Sequence, residues 1–192
     1  VPSIIAQQRR VGVDTLQLVD ELPSGAHEEL RSTLPGVRLV QVIHVVDDDA
    51  VEQAKTVAPH VDAILLDSGN PNLSVKELGG TGKTHNWVIS RTIRDAIGKP
   101  LFLAGGLNSS NVGEAVQKVA PYGLDICSGV RTDGRLDEGT AGEGRRDVLG
   151  RVGGNGADLV QVIDRCIGDA DRQRAGRTGS RTATTTAGEL CT

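Results

Sequence analysis

Apolar runs alternate with amphipathic stretches over the first two-thirds of the chain, in units of roughly 20–25 residues with short links. Residues 3–10 (SIIAQQRR) read as the end of a helix, with Gly12 as its stop. Residues 14–19 (DTLQLV) read as a strand. Ser24, in the turn Pro23, Ser24, Gly25, is placed to cap a short amphipathic helix over 26–34, closed by Pro35 and Gly36. Residues 37–46 (VRLVQVIHVV) are the most β-prone run in the chain. Asp47, Asp48 and Asp49 open a helix over 48–58, where acids suit the N-terminal dipole. The strand 61–67 follows, four apolar residues (Ala63, Ile64, Leu65, Leu66) ending on Asp67. A helix over 87–97 stops at Gly98 and Pro100, and a strand over 100–104 leads into Gly105 and Gly106. Asn108 or Ser109 is expected to cap a helix over 110–119. A last strand, 124–130, has polar residues at its exit. Five strands alternating with helices imply an α/β fold with a parallel sheet, either a barrel or a doubly wound sheet.

That topology directs attention to the C-terminal ends of the strands, where ligands sit in parallel α/β folds. Asp67 ends a buried run there and is a candidate proton-transfer acid. Gly79, Gly80, Thr81 and Gly82 form a glycine-rich loop that lets backbone N–H groups approach an anion. It is not a Walker A loop, because the first glycine of that motif and its spacing are absent, so Lys83 reads as loop structure or substrate electrostatics rather than an ATP ligand. Gly105 and Gly106 precede a helix N-terminus, a second candidate anion site. Cys127 reads as a small buried hydrophobe, His44 as a polar rim residue and His85 as packing.

Composition narrows the classes. Only three aromatic residues occur (Trp87, Phe102, Tyr122), so the core is aliphatic. The net charge of −4 gives no reason to expect a nucleic-acid partner, and the arginines after Asp137 are balanced by acids. No run is long and apolar enough for a membrane span, and the opening residues are too short and charged for a signal peptide. Three widely spaced cysteines (Cys127, Cys166, Cys191) suggest reduced thiols in the cytoplasm and argue against a metal site. The chain has no Met, which suggests a fragment. From 138 to 192 the sequence becomes rich in Arg, Gly and Thr, and disorder is expected for most of it, with one apolar island that suits a helix over 157–174. The expected domains are therefore 1–137 and an atypical tail, 138–192.

Three stretches together resemble the phosphoribosylanthranilate isomerase family of tryptophan biosynthesis: ILLDSG…GGTGKTHNW (64–87), PLFLAGGLNSSNVGEAV (100–116) and GLDICSGVRTDGRLD (123–137). The strand DTLQLVD (14–20) is similar to the family's V-Q-L-H-G strand, with Val19 in place of the histidine. The resemblance implies a (β/α)₈ TIM barrel of which about five consecutive βα units, those of strands four to eight, are present. It implies a cofactor-free Amadori rearrangement of N-(5-phosphoribosyl)anthranilate, an aminoaldose, into the 1-deoxyribulose phosphate aminoketose. In that reaction a carboxylic acid protonates the ribose ring oxygen, opening it to a Schiff base, and a cysteine thiolate removes the proton on the adjacent carbon. Asp67 matches the acid. Gly105, Gly106, Ser128 and Gly129 match the phosphate cradle, Gly80 lies in the matched substrate loop, and Asp125 matches an acid that contacts substrate. The family's base lies in a K-I-C-G motif on strand one, which this chain lacks. Reduced activity is expected, together with self-association through open sheet edges. A non-catalytic sugar-phosphate-binding half-barrel, a decayed gene product and a related barrel enzyme such as indole-glycerol-phosphate synthase remain as alternatives.

Overall fold

The computed structural model describes residues 1–69, 84–133, 135–137 and 139, with the backbone of short strands at 162–163, 182–185 and 190–191. Helix α1 (Pro2–Val11) ends at Gly12, whose φ of 68° is the left-handed conformation a helix stop uses. Strand β1 (Thr15–Leu18), helix α2 (Ala26–Thr33), strand β2 (Arg38–His44), helix α3 (Asp49–Val57) and strand β3 (Ala63–Asp67) follow in order. Helix α4 (Trp87–Ala96), strand β4 (Leu101–Leu103), helix α5 (Val112–Val119) and strand β5 (Gly123–Asp125) complete the repeating part. All four neighbouring pairs from β1 to β5 are parallel, so each helix is a crossover on the strands it joins.

Strand alternation divides the apolar residues between two faces. Leu16, Leu18, Leu39, Ile43, Ile64, Leu66, Leu101, Leu103 and Leu124 pack against the helices through Leu30, Ile93, Val112 and Val119. Burying each large aliphatic side chain there contributes about 1.5–3 kcal/mol. The other face carries a smaller cluster made only from strands and their exits: Val19, Val42, Ala63, Leu65, Phe102 and Ala104. This is the concave interior that a barrel encloses. Asp67 continues the Ala63, Leu65 series, and His44 continues Val40 and Val42, so both belong to the concave face at its C-terminal rim.

Several local expectations change. Ser24 does not cap α2; Gly25 occupies that position with φ 81°, and the turn needs a left-handed residue more than a side-chain acceptor. Helix α5 starts at Val112, two residues late, because Asn108 and Asn111 are used to fold the preceding loop. Strand β5 ends at Asp125, so Cys127 and Ser128 belong to a turn, with Val130 N–H to Cys127 O at 3.4 Å and Arg131 N–H to Ser128 O at 3.2 Å. Strands β6 (Arg131–Thr132) and β7 (Arg135–Leu136) then form an antiparallel hairpin.

Three short strands are described in the tail. Strand β8 (Val162–Ile163) pairs in parallel with β5, strand β9 (Thr182–Thr185) pairs in parallel with β1, and β10 (Leu190–Cys191) pairs antiparallel with β9. The sheet order is β10-β9-β1-β2-β3-β4-β5-β8. Thus Val162 and Ile163 are extended where the helix over 157–174 was expected, and the remainder of that stretch lies outside the described residues. The two edges of the five-strand arc, expected to be open, are occupied by β8 and β9; unpaired strand N–H and C=O groups favour any segment that can satisfy them.

Candidate active site

The C-terminal ends of β3, β4 and β5 converge on a cavity of about 30 Å³ lined by Asp67, Ala104, Gly105, Gly106, Leu107, Asp125, Cys127 and Ser128. That volume holds one or two waters, the size of a polar group's immediate surroundings. Five of the seven residues singled out by sequence line it: Asp67, Gly105, Gly106, Asp125 and Ser128. Gly129 adjoins them without lining the cavity, and Gly80 lies outside the described residues.

Asp67 is 2% exposed. Its Oδ1 accepts from the Ser68 backbone N–H at 2.8 Å, which fixes the carboxyl plane. Its Oδ2 is buried with no hydrogen-bond partner among the described residues. A buried polar oxygen costs free energy unless something pairs with it, so an orphaned oxygen at a cavity wall points to a ligand's hydrogen-bonding group. Asp125, 4% exposed at the end of β5, lines the same cavity.

The glycines are required by geometry. Gly105 has φ 85° and Gly106 has φ 64°, two left-handed residues in succession. A Cβ on Gly105 would lie 2.5 Å from Ser68 Oγ and 2.7 Å from Ser68 N, so the β4 loop presses directly on the residue that orients Asp67. A Cβ on Gly129 would overlap the Leu107 carbonyl oxygen. That close approach permits the parallel bridge between Asn108 and Gly129, which joins the loops after β4 and β5. Asn111 then pins the first loop: its Nδ2 donates to Gly106 O at 2.9 Å and its Oδ1 accepts from Asn108 N at 2.9 Å. Sequence reading took Asn108 for a helix cap and missed this pinning; two asparagines, two and five residues after Gly106, were the available signal.

A family model described as N-(5′-phosphoribosyl)anthranilate isomerase matches residues 1–140. The chain belongs to that family. The Haloferax volcanii N-(5′-phosphoribosyl)anthranilate isomerase is 42% identical over 130 residues, covering 68% of this chain and 55% of that one. The crystal structure of phosphoribosyl anthranilate isomerase from Thermotoga maritima superposes with a TM-score of 0.61 at 28% identity, over 78% of this chain and 68% of that one. A further phosphoribosyl anthranilate isomerase structure, in complex with reduced 1-(o-carboxyphenylamino)-1-deoxyribulose 5-phosphate, superposes with a TM-score of 0.58 at 25% identity, over 78% of this chain and 66% of that one. The chain spans little more than half the length of the Haloferax relative. The neighbours share the TIM-barrel fold, and the sheet β1–β5 with its crossover helices is the part of a phosphoribosylanthranilate isomerase barrel described in this chain. Among the described residues, no helix is long and apolar enough to cross a membrane.

Proposed function

We propose that this chain supplies the acid and the phosphate cradle of a phosphoribosylanthranilate isomerase, acting on a small sugar phosphate. The observation that carries the reading is Asp67, with its orphaned Oδ2, in one cavity with Gly105, Gly106 and Ser128. Asp67 donates the proton to the ribose ring oxygen as the C–O bond breaks, and the Schiff base forms on the anthranilate nitrogen. Gly105 and Gly106, held by Asn111 at the approach to α5, receive the phosphate together with Ser128 and Gly129, backed by the positive end of the helix dipole. Asp125, which lines the same cavity, contacts the substrate. Gly80 contributes from the loop between β3 and α4. No cofactor enters the reaction. The base has no K-I-C-G match in the 192 residues.

The test mixes the full chain with a separately expressed segment carrying the first three βα units of a family member, and follows N-(5-phosphoribosyl)anthranilate consumption. Turnover that Asp67→Asn lowers at least a hundredfold, the usual scale of general acid catalysis, supports the reading. Equal turnover in Asp67→Asn overturns it. Ribose 5-phosphate binding without turnover in the mixture would instead select a sugar-phosphate-binding half-barrel.

A further inference from the structure

We propose that Cys127 is a site of reversible oxidation: hydrogen peroxide converts its thiol to a sulfenic acid, and the added oxygen closes the cavity to a sugar phosphate. The closure rests on the function proposed for that cavity; the oxidation does not.

The reading of Cys127 as a buried hydrophobe does not hold. Strand β5 stops at Asp125, and Cys127 lies in the turn beyond it as a half-buried thiol. Its carbonyl oxygen accepts from the Val130 N–H at 3.4 Å, which ties the residue into the turn. Cys127 lines the same cavity as Asp67, Gly105, Gly106 and Ser128. At about 30 Å³ that cavity takes one or two waters, which is also the size of hydrogen peroxide. A bulkier disulfide does not fit, and an uncharged oxidant is not repelled by the carboxyl groups of Asp67 and Asp125 on the cavity wall.

A second observation points into the same space. Asp67 is 2% exposed, and its Oδ2 has no hydrogen-bond partner among the described residues. A thiol is a weak donor, so Cys127 in its reduced form does little for that oxygen. A sulfenic acid places an O–H group in the cavity that Oδ2 borders, and pairing a buried acceptor is favourable. The oxygen that satisfies Asp67 then occupies the room a ligand's polar group needs.

The chemistry balances. Sulfur attacks one peroxide oxygen, the S–O bond forms and the O–O bond breaks. Sulfur loses two electrons, and the departing hydroxide leaves as water with the proton given up by the thiol. Carboxyl groups beside a thiol do not promote its ionisation, so the reaction draws on access and on product stabilisation rather than on an activated thiolate. Reduction by a dithiol reverses it: a thiol attacks the sulfenic sulfur, water leaves, and the second thiol resolves the mixed disulfide. The chain contains no Met, which leaves its three cysteines as the ready targets for peroxide.

The experiment treats the full chain with millimolar hydrogen peroxide, with and without a cyclic 1,3-diketone that traps sulfenic acids. Peptide mass mapping should place the trapped adduct on Cys127, and ribose 5-phosphate present during oxidation should reduce it. In the untrapped sample, calorimetry should show ribose 5-phosphate binding weakened by about tenfold or more, the scale of one mismatched buried polar group, and restored by dithiothreitol. Cys127→Ser should bind equally before and after peroxide; Cys127→Ala serves if the serine variant does not fold. No adduct on Cys127 in the folded chain overturns the proposal. So does an adduct that leaves binding unchanged, or an equal loss of binding in the substituted chain. If the untreated chain does not bind ribose 5-phosphate, the proposed function fails, and the adduct on Cys127 still decides the oxidation.

Discussion

Replacing His85 with Phe should flatten the acid limb of the stability curve. His85 lies between the glycine-rich loop and α4, and burial lowers its pKa from the ordinary 6.5 to about 4. Its Nε2 lies 2.7 Å from Ser90 Oγ, a hydroxyl in a fully buried residue of α4, so the neutral ring is held in place. Between pH 6.5 and 4 the unfolded chain binds a proton at this site that the folded chain refuses. Folding stability therefore rises with pH over this window; it is fully present above pH 6.5 and is lost as the pH falls toward 4. The gap of roughly 2.5 pH units corresponds to a limiting loss of about 3 kcal/mol, of which about 2.4 kcal/mol is expressed between pH 7 and pH 4.5. At a urea m-value of about 2 kcal/mol per molar, the native chain's midpoint should fall about 1 M further than that of His85→Phe over the same window. The other titrating groups are common to both chains, so the difference isolates His85. Parallel midpoints at pH 7 and pH 4.5 would refute the reasoning and mean that the histidine is accommodated in its charged form.

Three further substitutions probe the site and its support. Gly105→Ala combines a left-handed backbone with a Cβ 2.7 Å from Ser68 N, so it should cost about 2 kcal/mol or more by urea denaturation and abolish ribose 5-phosphate binding by calorimetry. Asn111→Ala removes the hydrogen bonds that pin Gly106 O and Asn108 N, and should cost about 1–3 kcal/mol while weakening the same binding. Leu66→Ala, at a fully buried position on the helix-facing side of β3, should cost about 3–5 kcal/mol; a loss below 1 kcal/mol would mean that side of the sheet is not packed as described.

The alternation of apolar runs and amphipathic stretches was enough to set the α/β class with a parallel sheet, because parallel strands buried on both faces must be aliphatic and their crossovers must present one apolar stripe; the sequential order of β1–β5 came only with the tertiary structure. The placement of Asp67, Gly105, Gly106, Asp125, Ser128 and Gly129 at or just past a strand's C-terminal end was legible for a related reason, since an apolar run that stops marks that position in the sequence. Cap positions were less legible. Gly25 displaces Ser24, and Asn108 and Asn111 fold a loop instead of capping α5, because a backbone torsion or a carbonyl several residues away decides where the side chain is used. The short strands described in the tail were not legible, since pairing with the edge of a sheet compensates for missing local periodicity, and composition does not show which edge is within reach. His44 gave the same kind of difficulty. The sequence determined that it ends a strand, and that Asp67 ends another. Only the register between β2 and β3 placed them opposite each other, because hydrogen bonding between strands fixes neighbours that lie 23 residues apart in the chain.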